Sequence, residues 1–429
     1  MPSRLTVGIV EYGVPRDILP IVAGALRETV AQAEKRLRAT GERIQRYHGL
    51  AFNPIEIVGD RVVAKGIAGI VALAPGVELE IRPKYAGEGD DWRADLLFLA
   101  LFAAHGRIDP IRTIASAKST PNSLADLIAR TLLNELRRNH RTPLKARRRV
   151  ATETFEPLGE IDPDTLLNPG EEGWRQTFYA MSRDNEYWAT IHAGAHALLG
   201  HVRDVQVAVM LRDAVGRWGS PAVRPSRIRR ILPPRLSAWQ RAYDLALELL
   251  KNAGFAPGSG AFATFEFTLD TWRTWEALVE RSLVMRLGAS RVQLQKDLRL
   301  GTIHRAGRTT SSLVRPDALV DVDGPIVFDA KYKGNEERGR NTVSAADRYE
   351  VIAFMHASGA SRAILAYPSL NAANVGEKAT IFQHEQLPTG SLLAITTGVS
   401  GIAQPGGLAS FSGTLAATIQ ASACADAGS

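Results

Sequence analysis

The stretch Arg315–Lys333, RPDALVDVDGPIVFDAKYK, restricts what this chain can fold into more than any other. Asp323-Gly324 is a hairpin turn signal set between two apolar runs. The runs are short and rich in Val, Ile and Phe, as strands are. Asp317 then lies near the start of one strand, and Asp329 and Lys331 lie on its partner. Side chains alternate across a strand, so Asp329 and Lys331 share a face and Ala330 takes the other. Phe328 and Ala330 can turn into a core while the charged pair faces a cleft. An exposed hairpin edge decorated with charge would satisfy the same letters.

The company of the acids favours chemistry over decoration. Ile326, Val327 and Phe328 run directly into Asp329, and a carboxylate at the end of so apolar a strand is costly to bury without a metal or cation. Two carboxylates can hold one or two Mg²⁺ ions, which prefer oxygen ligands. A lysine two residues after the second can orient or deprotonate a water and stabilise charge on a phosphate. Those are the requirements of phosphodiester hydrolysis. Upstream, DTWRTWEALVERSLVMRLG reads as an amphipathic helix that carries Glu276, with Glu280 one turn later. Downstream, SAADRYEVIAFMHASG reads as a helix bearing Arg348 and Glu350.

The rest of the chain changes character in stages. Residues 1 to about 90 are short β-type runs, among them RLTVGIVEYG and PIEIVGDRVVAKGIAGIVALAP. In VELEIRPK, Val77, Leu79 and Ile81 alternate with Glu78, Glu80 and Arg82, the mark of a half-buried strand. Residues 18–40 read as one helix inserted there. From Trp92 to about Arg138 the spacing is helical, with Ser123 as an N-cap. Pro, Gly and Asp crowd into about 156–173, which sets the expected boundary between a module at 1–165 and a second part at 166–397. Helices are expected at about 174–216 and 237–253, then a mixed core over about 265–395. Residues 398–429 are rich in Gly, Ala and Ser and are expected to fray. The fold class is therefore mixed, α+β with α/β, and multidomain, as 429 residues suggest.

The single cysteine, Cys424, excludes a disulfide within the chain and any cysteine-based zinc site. No run of about 18 uncharged apolar residues predicts a membrane span, and the first residues show no secretory pattern, so a cytoplasmic chain is expected. The net charge of +7 is concentrated in two runs. One holds Arg137, Arg138, Arg141, Arg147, Arg148 and Arg149; the other holds Arg224, Arg227, Arg229 and Arg230. Each reads as a solvated face or linker, or as a phosphate-contacting surface. Lys333 joins the second group as a DNA-contact candidate. His192, His196 and His201 lack the intervening acid of a zinc-protease helix. Trp272 and Trp275 read as core, and Lys84 as a surface lysine.

The pieces WEALVERSL, VQLQ, RPDALV, FDAKYK, AADRYEVIAF and AILAYP, in that order over about Trp275 to Pro368, resemble the nuclease domain of McrC proteins. VALAPGVELEIRPKY followed by DLLFLALFAA, then LIARTLLNELRRNHR followed by GEID, is similar to the N-terminal part of the same family. The resemblance implies a PD-(D/E)xK nuclease of restriction-endonuclease-like α/β/α build, carried behind a partner-docking module. It implies Asp317 and Asp329 as Mg²⁺ ligands, Lys331 as the catalytic lysine and Glu276 as an accessory carboxylate, with Glu280 competing for that place. Two positions depart from the family: Glu350 and Phe354 stand where relatives often carry Gln and Tyr. Phe354 reads as core; Glu350 can pair with Lys333 or Arg348, or approach the metal.

No GxxxxGK[ST] sequence occurs, so the chain offers no Walker-A phosphate cradle. The resemblance implies a separate McrB-like AAA+ ring, using GTP in the best-known systems, that docks on residues 1 to about 165 and reads modified double-stranded DNA of the 5-methylcytosine type. It implies in turn that the N-terminal half stimulates the ring. One active site per chain leads to the separate expectation of self-association on DNA for double-strand cleavage. A stand-alone repair nuclease of the same fold and a non-catalytic activator of a ring NTPase are the competing readings.

Overall fold

The computed structural model describes residues 5–74, 76–86, 92–105, 124–217, 219–252, 266–306, 308–332, 335–337, 340–369, 373–388 and 390–425. The chain forms two compact units, Met1–Lys118 with Thr268–Ser429, and Ser119–Phe267.

In the first unit, the N-terminal part runs β1 (Leu5–Val10), α1 (Leu19–Leu26), α2 (Val30–His48), β2 (Ile55–Val58), β3 (Arg61–Ala64), β4 (Ile67–Ala74), β5 (Val77–Arg82) and α3 (Trp92–His105). The alternation read in VELEIR places β5 centrally, parallel to β1 and antiparallel to β4. Val7, Ile9, Leu79 and Ile81 are buried from these strands, and α1 and α2 close over them with Leu19, Val22, Leu37 and Ile44. The single helix expected at 18–40 is two. Arg27 adopts a left-handed backbone (φ 55°) and ends α1, and a capping box between Thr29 and Gln32 starts α2.

The second unit holds α4 (Leu124–Arg138), β6 (Ala146–Thr154), β7 (Glu160–Ile161), α5 (Pro163–Leu166), β8 (Trp174–Ser182), α6 (Glu186–Leu199), α7 (Val205–Gly216) and α8 (Gln240–Asn252). Trp188, Trp239 and Tyr243 fill its core. Gly194 lets α6 meet α8 closely, since a Cβ there would lie 2.7 Å from that of Ala246. The helix expected from about 174 begins only at Glu186: residues 174–182 are β8, registered against β6 from Ala146–Ser182 to Thr154–Trp174.

The chain then returns to the first unit through β9 (Phe267–Asp270), α9 (Thr271–Leu287), β10 (Val292–Leu294), β11 (Leu298–Arg305), β12 (Arg308–Val314), β13 (Ala318–Asp321), β14 (Pro325–Ala330), β15 (Asn335–Glu337), β16 (Arg340–Thr342), α10 (Ala345–Ser358), β17 (Arg362–Pro368), β18 (Thr380–Leu387), β19 (Gly390–Thr397) and α11 (Gly407–Ala425). A six-stranded sheet has the order β10-β13-β14-β17-β19-β18. β14, β17 and β19 are parallel, and the edges on both sides are antiparallel. One face packs on α10 through Val327, Leu365 and Ala394 against Val351, Phe354 and Met355. Alternation turns Phe328 and Ile364 to the other face, which α9 and α11 cover. Phe354 is core, as read from sequence.

Two expectations about domain limits fail. The Pro- and Gly-rich stretch at 156–173 lies inside the second unit rather than between units. Its turn-forming residues serve tight local structure: the Gln176 amide oxygen accepts from Leu158 and Gly159 N–H groups, and Gly170 pairs with Gly173. The segment after 398 is not frayed over its described residues, which run to Ala425. Buried Asp95 accepts hydrogen bonds from the backbone of Gly401 and Ala403 at 2.8 and 2.9 Å, which fixes the turn before α11. Phe411, Leu415 and Ile419 recur at helical spacing and are wholly buried, with Phe411 edge-on to Trp275 at 5.9 Å. A Gly/Ala/Ser-rich composition hid this helix because its few large residues all fall on one stripe. Phe411→Ala is expected to cost about 3–5 kcal/mol of stability, measured by urea unfolding; a loss within experimental error would mean that the helix contributes nothing to the core.

Candidate active site

The turn foreseen at Asp323-Gly324 exists. Both residues take left-handed backbone, φ 52° and 101°, and the Arg362 guanidinium donates to the Val322 and Asp323 carbonyls at 2.9 and 2.8 Å. The register that follows pairs Ala318 with Phe328. Asp317 therefore stands opposite Asp329 at the open end of the hairpin, and one Asp317 oxygen accepts the Ala330 N–H at 2.7 Å. Pairing continues one residue past β14, with the Lys331 N–H donating to Ala366 at 2.9 Å. The Lys331 ammonium lies 2.7 Å from the buried Asp329 carboxylate and 2.8 Å from Glu350. The Asp329 oxygen in that ion pair receives no well-directed hydrogen bond. Glu350 thus pairs with Lys331, not with Arg348, which bonds Glu385 instead. Lys333 lies outside the described residues.

Glu276 and Glu280 are not alternatives, because the structure uses both. One turn apart on α9 they reach Asp317, and oxygens of the three lie within 4.8 Å of one another. Asp329 is outside that triangle. The amide nitrogen of Gln295 sits among the three at 2.8, 2.7 and 3.1 Å from Glu276, Glu280 and Asp317. An amide has two N–H donors, so one of the three acids always lacks a proton donor from it. Gln295 holds this place with a left-handed backbone, φ 48°, and an N–H bond to the Asp317 carbonyl at 3.0 Å. Sequence reasoning passed over it: as the last letter of VQLQ it carries no charge and no motif of its own.

Burial raises all four acids above their ordinary range, and their mutual repulsion adds to it: Glu280 on Glu276, Glu276 on Asp317, Asp317 on Asp329. Burial alone would lower Lys331, but the Asp329 and Glu350 carboxylates outweigh it and hold the ammonium firmly protonated. Crowded carboxylates offering only oxygen are a donor set that fits a hard divalent cation, and such an ion would relieve the repulsion that lifts them.

A second cluster was missed by sequence reading. Glu11, at the end of β1, is fully buried. It accepts the Thr271 hydroxyl and the Tyr332 hydroxyl, each at 2.6 Å, and the Lys84 N–H at 3.3 Å. The Lys84 ammonium bonds the Tyr332 carbonyl and lies 4.0 Å from that ring's centroid. Lys84 is therefore not a free surface lysine. Thr271 opens the helix of Glu276, and Tyr332 follows Lys331, so one carboxyl group ties both segments of the site together. Trp275 is core, its indole donating to the Ala366 carbonyl at 3.1 Å, whereas Trp272 stays 37% exposed.

Both basic runs fall in the second unit. Arg137 and Arg138 end α4, Arg141 is exposed beyond it, and Arg147, Arg148 and Arg149 lie exposed on β6. Arg148 bonds Asp184 and Arg149 approaches Glu160. In the second run Arg229 and Arg230 are ion-paired, with Asp244 at 3.3 Å and Glu186 at 3.1 Å, while Arg224 and Arg227 are exposed.

The model of the family described as McrBC 5-methylcytosine restriction system component matches residues 224–368. The matched region of this chain is similar to that family. It contains Glu276, Glu280, Gln295, Asp317, Asp329, Lys331 and Glu350, in agreement with the resemblance read from sequence. No curated protein sequence matches. Among solved structures, a chain from a half-complex of the tetradecameric assembly of Thermococcus gammatolerans McrB AAA+ hexamers with bound McrC has the same fold, with TM-score 0.67 at 14% identity over 96% of this chain and 100% of that one. A chain of the Thermococcus gammatolerans McrBC complex matches with TM-score 0.47 and 14% identity, over 66% of this chain and 88% of that one. Among the described residues, no helix is long and apolar enough to cross a membrane.

Burial pushes the Glu11 carboxyl up to about 7, against the lowering by its hydrogen bonds and Lys84. Folded, it keeps its proton to about 7, while unfolded it releases it near 4.5. The folded state binds more protons between these values, so this group lowers stability as pH rises from about 4.5 to about 7, and the loss is complete above that. Glu11→Gln is expected to flatten that part of the melting-temperature profile; an unchanged fall from pH 5 to 7 would mean another group causes it.

Proposed function

We propose that this chain is the DNA-cleaving subunit of a modification-dependent restriction system, a Mg²⁺-dependent endodeoxyribonuclease of the PD-(D/E)xK type. The observation that carries the reading is the meeting of Glu276, Glu280 and Asp317 beside the Asp329–Lys331 pair, at the open end of one hairpin within the matched region. The flanked mixed sheet, with its central parallel strands and carboxylates at the strand ends, supports the fold assignment.

Glu276, Glu280 and Asp317 would hold the metal, with Asp329 alongside. Bound there, Mg²⁺ supplies Lewis-acid neutralisation of the phosphate and lowers the pKa of a water. Lys331, whose ammonium form the Asp329 and Glu350 carboxylates favour, would serve as a fixed cation for the charge that grows on the phosphate. Asp329 and Glu350 aim it from two sides. The Gln295 amide orients the carboxylates through the bonds it makes to them.

Target choice and energy coupling belong, on this reading, to a separate AAA+ ring that hydrolyses GTP. The fold-matched chain comes from an assembly of such hexamers with bound McrC, and docking of the N-terminal half on the ring, with stimulation of its hydrolysis, follows by analogy. Modified double-stranded DNA is the substrate, and self-association on it gives the second cut.

With the ring, GTP and Mg²⁺, the chain is expected to cut methylated plasmid and spare unmethylated plasmid. Lys331→Ala and Asp329→Ala should each lower the rate about 10²-fold or more while leaving stimulation of GTP hydrolysis intact. Unimpaired cutting by either variant would remove the site assignment. Cutting by the chain alone would favour a stand-alone nuclease, and stimulation without any cutting an activator.

A further inference from the structure

The chain between Gln295 and Asp317 leaves the site and comes back to it. In between, β11 and β12 form a two-stranded antiparallel sheet of their own, with Ala306 in a left-handed turn (φ 44°) at the tip. The base is anchored: Leu298 is buried, and Val314 packs against the core under α10. Beyond the Gly301–Ser312 pair, every described residue of both strands is exposed, whichever face it points to. Ribbons of two strands are marginally stable by themselves, so this one adds little to the fold by its own burial.

Its composition indicates what would cover it. From Lys296 to Arg315 there are five Lys and Arg residues and one acid, Asp297, which is paired with Arg315 at 2.7 Å. Arg305 and Arg308 flank the tip and make no ion pair among the described residues. The exposed faces otherwise carry the hydroxyls of Thr302, Thr309, Thr310 and Ser311, groups that bond phosphate oxygens without reading bases, together with His304 and one apolar side chain, Ile303. Phe, Tyr and Trp are absent from the segment, which argues against stacking on single strands. Its length, about 3.4 Å per residue, and its two-stranded width suit the major groove of a duplex, which admits such a ribbon.

We propose that the β11–β12 ribbon is a duplex-DNA contact that grips phosphates and delivers the backbone to the carboxylate cluster at its base. The inference rests on the nuclease reading above and adds the element that binds the substrate. Since Gln295 and Asp317 bound the ribbon, DNA held along it is tethered within the span of one hairpin from the site.

The test uses the full chain with its ring partner and a duplex of about 30 base pairs, long enough for three helical turns. Affinity is measured across a KCl series in a Lys331→Ala background that does not cut. Arg299→Ala with Arg305→Ala and Arg308→Ala should reduce the slope of log affinity against log salt by about 0.9 for each phosphate that is no longer neutralised. Lysine at the same three positions should restore it. In the cutting-competent chain the triple variant should raise KM and leave kcat at saturating DNA unchanged. Should the triple variant melt early, the tip pair Arg305→Ala and Arg308→Ala, which touches no core, reads the same slope. A slope equal to that of the parent overturns the proposal, as does a variant that loses only stimulation of the ring, since that would make the ribbon a protein contact. A parent chain with no affinity for duplex at all would overturn the nuclease reading as well.

Discussion

Glu11 is a carboxylate with no access to water, and the groups that satisfy it come from three distant parts of the chain. Thr271 and Tyr332 are 260 and 321 residues away in sequence, and Lys84 sits at the end of β5. A buried acid left unpartnered would cost several kcal/mol, and hydrogen bonds that share one acceptor group in a dry interior act as a network rather than singly. Through them the residue after β1 is tied to the first residue of α9 and to Tyr332, the neighbour of Lys331. The clustered carboxylates and the lysine are therefore tied to one buried residue that is not itself a member of the cluster.

Local and distant signals also separate what could be read in the sequence from what could not. The hairpin at 315–333 was legible because its signals are local: a turn dipeptide, alternation, and a charged pair two residues apart. Helical periodicity gave the helix and the family resemblance singled out Glu276 on it, while Glu280, offered as the competitor, joins the same cluster, because side chains one turn apart can reach a single point in space. Gln295, Glu11 and the true partner of Glu350 were not legible. Their roles arise from contacts across tens to hundreds of residues, and neither a neutral amide nor a lone glutamate in a β-type run announces such a contact.

Domain limits failed for a related reason. Turn-forming composition marks where a chain bends, and at 156–173 it bends within one unit. Small-residue composition marks low hydrophobicity, yet α11 needs only one apolar stripe to be held. In the basic runs, charge in sequence overstated charge in space, since Asp244 and Glu186 already answer Arg229 and Arg230.

The first unit is built from the two ends of the chain, with the second unit lying between them in sequence. During synthesis at about 5–20 residues per second, β1 emerges tens of seconds before Tyr332 can reach Glu11. The intervening unit has all of its own segments first and can complete itself while the flanking one waits. Long-range pairing of this kind raises contact order and slows folding. It also has an ordering in time: a nascent chain carries no assembled cluster of acids and lysine, because the geometry that makes them a unit comes into being only once the segments from Glu11 to Glu350 have all been made.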